Sequence, residues 1–169
     1  MNPAITISIA GETDAEAIRE LAVTVWNACY TGIISQEQID YMLGWMYAPE
    51  KIRKEIREDG IIYLRIDDPS GLRGFAAFGP AEKAAEGFIH KLYIDPEFQG
   101  RGLGSAAIRE IEVMSRHQGV FRISLRVNRK NLQAIGAYEK NGFCRCGKVC
   151  SDIGGGFEMD DFLLAKNLD

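Results

Sequence analysis

A glycine-rich loop between a predicted strand and a predicted helix is the feature that most restricts the fold of this chain. The apolar run at 88–94 predicts a central strand, the segment 99–105 reads Gln-Gly-Arg-Gly-Leu-Gly-Ser, and the pattern at 103–117 predicts a helix. Glycines let a ligand approach the main chain, and a helix start carries unpaired N–H groups and a partial positive charge. This combination predicts a seat for a phosphate group, to which Arg101 adds charge.

The spacing within the loop separates three anion-binding patterns. A P-loop would end in Gly-Lys-Ser/Thr, whereas this loop ends in Gly-Ser-Ala. A Rossmann fingerprint needs G-x-G-x-x-G and an acidic residue about 20 residues later, but this loop is G-x-G-x-G and Glu110 comes too early. The third pattern, Gln/Arg-x-x-Gly-x-Gly/Ala, fits at Gln99, Gly102 and Gly104.

A second group of residues, about thirty positions later, shares one face of a predicted helix. Asn131, Ala134 and Tyr138 stand at i, i+3 and i+7 of a helix predicted over 131–140. Seven residues span roughly 10.5 Å of helix, which suits contact along an extended ligand arm. The small Ala134 would let that arm lie close to the helix.

The two segments together resemble the GNAT superfamily of acyl-CoA N-acyltransferases. Residues 92–104 look like the family's acetyl-CoA motif, and residues 131–143 look like its second motif, N-x-x-A-x-x-x-Y-x-x-x-G-F. The resemblance implies an α/β GNAT fold, with a single mixed sheet of about seven strands flanked by helices. It also implies acetyl-CoA as the acyl donor and one N-acetyltransferase domain over residues 1–169.

Hydrophobic periodicity and turn signals predict an order of β-α-α-α-β-β-β-α-β-α-β-β, which fits that family over nearly the whole chain. Capping boxes at Thr13 and Ser35 predict the starts of the first two helices, the second running to about Met46, and Pro49 begins a third that ends near Gly60. A glycine turn at 154–156 separates the last two strands. The predicted strands are 5–9, 61–67, 72–78, 88–94, 120–127, 143–150 and 157–165.

The resemblance assigns roles to the residues of both motifs. Main-chain groups of Leu92 and Ile94 would hold the pantetheine arm and the thioester, in a gap where two parallel strands splay. Main-chain N–H groups across 99–105 would bind the pyrophosphate, Asn131 would hold the arm, and Tyr138 would sit beside the sulfur. The predicted cofactor-binding residues are Leu92, Tyr93, Ile94, Gln99, Gly100, Arg101, Gly102, Leu103, Gly104, Ser105, Asn131, Ala134, Tyr138 and Lys140.

Amine acetylation needs a base, an oxyanion donor and an acid. Alkylamines have pKa values near 10, so a base must take a proton before the nitrogen attacks. The N–H of Leu92 or Ile94 would stabilise the oxyanion, and Tyr138 is predicted to protonate the leaving thiolate. His90 stands where related enzymes often have a glutamate, and it is predicted as the base. Glu86 and a water chain remain alternatives.

Two cysteines could in principle carry an acyl group. Neither Cys29 nor Cys144 has an obvious histidine partner in the sequence, so direct transfer from donor to acceptor is predicted.

The acceptor is predicted to enter between the first two helices and the last hairpin. Aromatic and acidic residues there suit a cationic amine, through cation–π contacts and charge. A weaker resemblance of residues 28–32 and 153–161 to small-molecule and polyamine acetyltransferases favours the same acceptor. A protein lysine or N-terminus, and a non-catalytic acyl-CoA sensor, are the alternatives, and Tyr138 argues against the sensor. The predicted substrate-binding residues are Trp26, Tyr30, His90, Met159 and Asp160, with Trp45 and Asp161 as further candidates for the wall.

Charge and cysteine content exclude other classes. A net charge of −4 disfavours a general nucleic-acid binder, although 87–141 carries nine basic and five acidic residues, a balance that suits an anionic ligand. Cysteines 144, 146 and 150 form C-x-C-x3-C without a second pair, so no metal is predicted. Short apolar runs, and the lack of a leader pattern at Met1–Pro3, predict a cytoplasmic protein with no membrane contact. The family suggests a homodimer.

Overall fold

The computed structural model describes residues 4–169, and the expectation about Met1–Pro3 lies outside that range. Within this range the chain forms seven strands and five helices in the predicted order, so that prediction is confirmed. The strands are β1 Thr6–Ile9, β2 Ile62–Asp68, β3 Gly71–Pro80, β4 Glu86–Ile94, β5 Arg122–Asn128, β6 Cys144–Gly154 and β7 Phe157–Asn167. The helices are α1 Ala15–Cys29, α2 Gln36–Met46, α3 Pro49–Arg57, α4 Leu103–His117 and α5 Leu132–Lys140.

One mixed sheet contains all seven strands in the order β1-β2-β3-β4-β5-β7-β6. Only β4 and β5 run parallel among the neighbouring pairs of residues 4–169, and α4 is the crossover that parallel neighbours require. Their pairing runs from Glu86–Arg122 to Ile89–Leu125 and ends there, although both strands continue. Beyond that pair the two strands separate, so a gap opens in the middle of the sheet.

Helices cover both faces of the sheet. Ile18 and Trp26 of α1 and Ile52 of α3 pack in one core with buried residues of β2 and β3. Ile111 of α4 and Ile135 of α5 pack in a second core, with strands β4, β5 and β7. The gap between β4 and β5 therefore has helices on either side. Within 4–169, none of the helices combines the length and the apolar character needed to cross a bilayer.

The capping signals were correct at one helix and wrong at another. Ser35 Oγ accepts a hydrogen bond from Gln38 N at 3.1 Å, as its capping box predicts. Thr13 does not cap α1: a short 3-10 turn at 12–14 comes first, and Asp14 Oδ2 accepts from Gly11 N at 2.8 Å. The aspartate within the predicted box thus caps the 3-10 turn and not α1, and α1 begins at Ala15, one residue later than a cap at Thr13 predicts.

The last hairpin is longer than predicted. β6 and β7 stay paired up to a turn in which Gly154, Gly155 and Gly156 have φ values of +87°, +62° and +80°. Glycine adopts this left-handed conformation without steric cost, so the strands can remain paired up to the turn.

Candidate active site

Two clefts meet where β4 and β5 separate. The narrow cleft, of about 260 Å³, lies between the β4–β5 gap and helices α4 and α5. The wide cleft, of about 880 Å³, is bordered by strands β3–β7 and by helices α1–α3. Tyr30, His90, Tyr93 and Arg126 line both clefts. Molecules bound in the two clefts would therefore meet at this junction.

The glycine loop forms one end of the narrow cleft. Gly100 and Gly102 have φ values of +74° and +82°, which L side chains rarely adopt, and Gly102 is the N-cap of α4. The N–H groups of Leu103, Gly104 and Ser105 lie in the first turn of α4, where a helix offers them no internal partner. The helix dipole adds partial positive charge, so this end of the cleft can bind a phosphate group.

Side-chain hydrogen bonds fix the loop to its neighbours. Gln99 Nε2 donates to Ile94 O at 3.1 Å, and Gln99 Oε1 accepts from Gln133 Nε2 at 3.0 Å. Asn141 Nδ2 donates to Ser105 Oγ at 3.0 Å, which ties the end of α5 to the start of α4. These contacts join β4, α4 and α5 around the cleft and hold the loop in one position.

Most predicted cofactor-binding residues line the narrow cleft; Arg101 and Lys140 are absent from its lining. Arg101 folds back on its own loop, where Nη2 donates to Glu97 O at 3.0 Å and the guanidinium lies over the Phe98 ring. Lys140 is an exposed residue at the end of α5. The positive character of this end of the cleft thus comes from main-chain N–H groups.

The edge of β4 forms the floor of the narrow cleft. Leu92, Tyr93 and Ile94 lie beyond the last β4–β5 pair and line the cleft. Strand edges present main-chain donors and acceptors that need partners. A ligand lying along this edge can take the place of the missing neighbouring strand.

Helix α5 forms the opposite wall, with the predicted face toward the cleft. Asn131, Ala134 and Tyr138 all line it. Asn131 is also the N-cap of α5, because its Oδ1 accepts from Ala134 N at 3.3 Å. The side chain of Asn131 therefore fixes the start of the helix that carries Tyr138.

The Tyr138 phenol lies in a region that disfavours its ionisation. Its ring packs edge-on against Phe143, with centroids 5.7 Å apart. Burial raises the pKa of Tyr138 well above its usual value, and the nearby Tyr30 raises this pKa further. Tyr30 OH lies 3.3 Å from Tyr93 OH, so three phenols gather at the junction of the clefts. Tyr138 stays neutral at physiological pH and can donate a proton.

His90 lies at a β-bulge in β4. The β3–β4 register passes from Ala77–Lys91 to Phe78–Ile89, so His90 is the extra residue. Its ring lies edge-on to Phe88 at 4.9 Å, and it is exposed to both clefts. Burial, and secondarily Lys91, lower the pKa of His90, so it is neutral at pH 7 and able to accept a proton.

Beside His90, a buried ion pair fixes β4 to α3. Lys91 Nζ lies 2.9 Å from Glu55 Oε2, and the Tyr63 hydroxyl bonds to both side chains. Burial lowers the pKa of Lys91, while Glu55 acts in the opposite sense. Lys91 and Glu55 are 36 residues apart, and no local sequence pattern indicates that they pair, so this ion pair was not predicted.

The predicted acceptor wall is only partly assembled. Trp26, Tyr30 and Met159 line the wide cleft, and Trp45 stands exposed at its rim. Trp26 is also core, because it is buried and its Nε1 donates to Tyr47 OH at 3.2 Å.

Two adjacent aspartates of the predicted wall are separated by the strand pleat. Asp160 is absent from the lining of the wide cleft and forms an ion pair with Arg129, Oδ2 to Nη1, at 3.1 Å. Asp161 is buried and lines the cleft together with Met159. Successive residues of a strand point to opposite faces, which accounts for the difference.

Several lining residues were not predicted as site residues. Asn141 lies within the second motif, at a position that the motif leaves unspecified. Gln133 and Ala137 lie on the same helix, α5, and Val127 lies near the end of β5. Their place in the cleft can be predicted only once the gap between β4 and β5 is known. Among residues 4–169, no group of three or more His, Cys, Asp and Glu side chains is arranged to hold a metal ion.

Comparisons with known proteins agree with this geometry. A family model described as the acetyltransferase (GNAT) family matches residues 16–143. The chain is 30% identical over 151 residues to the spermidine N(1)-acetyltransferase of Thermoplasma acidophilum, which covers 87% of this chain and 90% of that relative.

Solved structures share the fold. The PaiA N-acetyltransferase from Thermoplasma acidophilum in complex with coenzyme A superposes with a TM-score of 0.81 at 27% identity, covering 97% of this chain and 99% of that one. The ribosomal-protein-S18-alanine N-acetyltransferase from Escherichia coli gives 0.73 at 17% identity, covering 98% and 94%, a likeness of fold alone.

Proposed function

The chain belongs to the GNAT acetyltransferase family, and we propose that it transfers the acetyl group of acetyl-CoA directly to a primary amine of a small cationic acceptor, such as a polyamine. The family and its acyl donor, predicted from the two motifs, are confirmed. The observation that carries the choice of reaction is the junction of the clefts. There, a wide cleft with aromatic and acidic walls opens onto the narrow cleft beside Tyr138.

The residues of the narrow cleft fit coenzyme A. Main-chain N–H groups at 102–105 would bind the pyrophosphate, and the free edge of β4 at 92–94 would pair with the pantetheine arm. The helix face that carries Ala134 and Tyr138 would lie along the other side of the arm. The acyl group would then lie where β4 and β5 separate, in reach of the wide cleft.

The proposed chemistry moves two protons and exchanges one bond. His90 takes a proton from the ammonium group, directly or through one water, and the freed nitrogen attacks the thioester carbon. The N–H of Leu92 or Ile94 stabilises the oxyanion. As the new C–N bond forms and the C–S bond breaks, Tyr138 donates its proton to the thiolate. The resulting phenolate takes the second proton from the acylated nitrogen, directly or through water, and His90 releases the first proton to solvent.

His90 is the better placed of the two side-chain bases. Glu86 begins β4, where it pairs with Arg122. It is four residues away from His90, which is roughly 13 Å along a strand. His90 is at the bulge beside the gap. We expect His90→Gln to remove the acidic limb of the kcat/KM profile, which Glu86→Gln would leave in place. The opposite result would move the role to Glu86, and loss with neither variant would favour water.

Direct transfer is favoured over an acyl-enzyme. Cys29 lines the narrow cleft, but the neighbour that its Sγ contacts at 3.7 Å is the Gln99 amide, which cannot activate a thiol as an imidazole does. Trapping a stable acetylated Cys29 after mixing with acetyl-CoA would overturn this order of events.

A thiol-release assay tests the function as a whole. Purified protein is mixed with acetyl-CoA and with spermidine, diamines, amino acids or peptides. We expect release with the small cationic amines. Release with peptides alone would indicate a protein acetyltransferase, and calorimetric binding of acetyl-CoA without release would indicate a sensor. A cytoplasmic location and a homodimer stay predictions from the sequence.

A further inference from the structure

Asp161 occupies a special position in the sheet. On β7 it pairs with Asn128 of β5, three residues beyond the Ile89–Leu125 pair at which β4 and β5 separate. Its side chain shares a face with Met159 and lines the wide cleft. Asp161 therefore stands at the level of the gap, two strands away from β4.

The carboxylate of Asp161 is buried without a matching donor. The residue is 6% exposed, and its Oδ1 accepts no hydrogen bond from any residue of 4–169. A buried carboxylate is unfavourable unless a cation or donor meets it. In a protein that must also fold, such an arrangement is expected where a ligand supplies the missing partner.

None of the charged and titratable neighbours in the part of the chain that the structure describes forms an ion pair with the Asp161 carboxylate, so it can bind a ligand cation. Arg126 of β5 attracts it but forms no ion pair with it within 4 Å, and its Nη1 instead reaches Ser151 Oγ at 3.3 Å. Asp160 on the same strand repels it, and Tyr30, directly after α1, lines the same cleft. Cys150 of β6 pairs with Asp160 and lies on the opposite face of the sheet.

Strand β4 contributes four titratable residues to the same cleft, namely Glu86, His90, Lys91 and Tyr93. Burial lowers the pKa of His90, and Lys91 is already paired with Glu55. Burial raises the pKa of Asp161 to about 6, so the side chain is mostly ionised at neutral pH.

We propose that the Asp161 carboxylate binds a second ammonium group of the acceptor and so makes the enzyme selective for diamines and polyamines over monoamines. This inference rests on the proposed function. The attacking nitrogen must give up its charge, so a fixed carboxylate is best matched by an amino group that stays protonated. Two spacings of paired strands are roughly 10 Å, and β4 and β5 are further apart at the gap, so Asp161 lies at least that far from β4. This places Asp161 beyond the attacking nitrogen, on the side where a second amino group of the acceptor would lie.

Matched acceptors test the assignment. 1,4-Diaminobutane and n-pentylamine have similar lengths, and only the former carries a second ammonium group. We expect Asp161→Asn to raise the KM for the diamine about 10- to 100-fold, with kcat changed less than threefold and kcat/KM for the monoamine unchanged. A general structural defect would instead affect both acceptors.

Two variants on the same strand control for charge. Glu158→Gln neutralises an exposed carboxylate and should leave both constants unchanged. Asp160→Asn discriminates between neighbours: if it raises the diamine KM while Asp161→Asn does not, the assignment to Asp161 is overturned.

A binding measurement separates this inference from the proposed function. Calorimetry of 1,4-diaminobutane on the CoA-loaded protein should show about 10- to 100-fold weaker binding for Asp161→Asn than for the wild type. If no amine supports thiol release but this loss is seen, the transferase proposal fails and the Asp161 site stands. If diamines are acetylated and Asp161→Asn binds them normally, the Asp161 site alone fails.

Discussion

The narrow and the wide cleft are built in different ways. The narrow cleft is formed mostly by two continuous segments, 92–105 and 131–141, and the groups that we propose to bind the donor there are mainly main-chain groups of the glycine loop and of the β4 edge. The wide cleft takes side chains from α1, α2, α3 and from the five strands β3–β7. In the proposed function, main-chain groups recognise what all acyl-CoA donors share, whereas dispersed side chains can be exchanged singly. Donor recognition would then be local in the sequence, and acceptor recognition would not.

The two clefts also differ in how much they cost the stability of the folded protein. The loop at 99–105 holds glycines in conformations that they adopt freely, so its cost to folding is small. The wide cleft contains a buried ion pair, Lys91 with Glu55, and the buried carboxylate of Asp161. Buried charges are favourable only while their partners are present. Substitutions should therefore disturb stability mainly on the wide side and donor binding mainly on the narrow side.

The largest effect is expected when Glu55 is replaced. Glu55→Gln leaves the buried Lys91 without its counter-charge. We therefore expect the free energy of unfolding, measured by urea denaturation at pH 7, to fall by about 3–5 kcal/mol. Glu50→Gln, on the exposed face of the same helix, is the control and should change the midpoint little. Equal effects of the two variants would show that the pair does not support the wide cleft.

Tyr138→Phe should act on turnover rather than on stability. Removing the hydroxyl takes away the proton donor, so we expect kcat to fall on the order of 10²-fold while CoA affinity, measured by calorimetry, is kept. Tyr41→Phe is the control, because Tyr41 lies outside both clefts and its hydroxyl donates to Ile153 O at 2.9 Å. Unchanged turnover in Tyr138→Phe would remove this residue from the chemistry.

The contrast between local segments and dispersed side chains also explains which parts of the site could be predicted from the sequence. The loop and the face of α5 were predictable because each is a short motif with a fixed spacing. The bulge at His90 was not, since it depends on a register shift against β3. Likewise, the Lys91–Glu55 pair joins elements that only the folded sheet brings together.

One feature of the wide cleft could have been predicted from the sequence. Alternation along a strand puts Met159 and Asp161 on one face and Asp160 on the other. Grouping Met159 with Asp160 in one wall did not use that alternation, and the structure places Asp160 in an ion pair with Arg129. The period of the strand was therefore a stronger guide than the presence of two acidic residues.

Asp161→Asn should stabilise the protein, and only above a certain pH. The pKa of Asp161 rises from 3.8 to about 6 on folding, because burial disfavours the charged form. Well below pH 4 the carboxyl is protonated in both states. The opposition of its buried charge to folding grows between about pH 4 and pH 6 and is complete above that range. We expect the variant to gain about 2 kcal/mol at pH 7.5 and little at pH 3.5, measured by urea unfolding. A gain independent of pH would mean that the carboxylate is not the cause.

The smallest expected effect concerns the glycine loop of the narrow cleft. Gly102 has a φ of +82° at the N-cap of α4, and an alanine there costs about 1–2 kcal/mol in this conformation. Because relief of that strain would turn the N–H groups of α4 away from the cleft, we expect Gly102→Ala to weaken CoA binding about tenfold in calorimetry.

Gly119→Ala provides the matched control for this loop. Gly119 has a similar φ of +75°, follows the other end of α4, and has open space where a Cβ would go. The two variants should lose comparable stability, and only Gly102→Ala should lose affinity for CoA. If both variants bind CoA equally, the conformation of the loop does not set the position of the N–H groups. Donor recognition would then depend on side chains, as acceptor recognition does, and the contrast between the clefts would disappear.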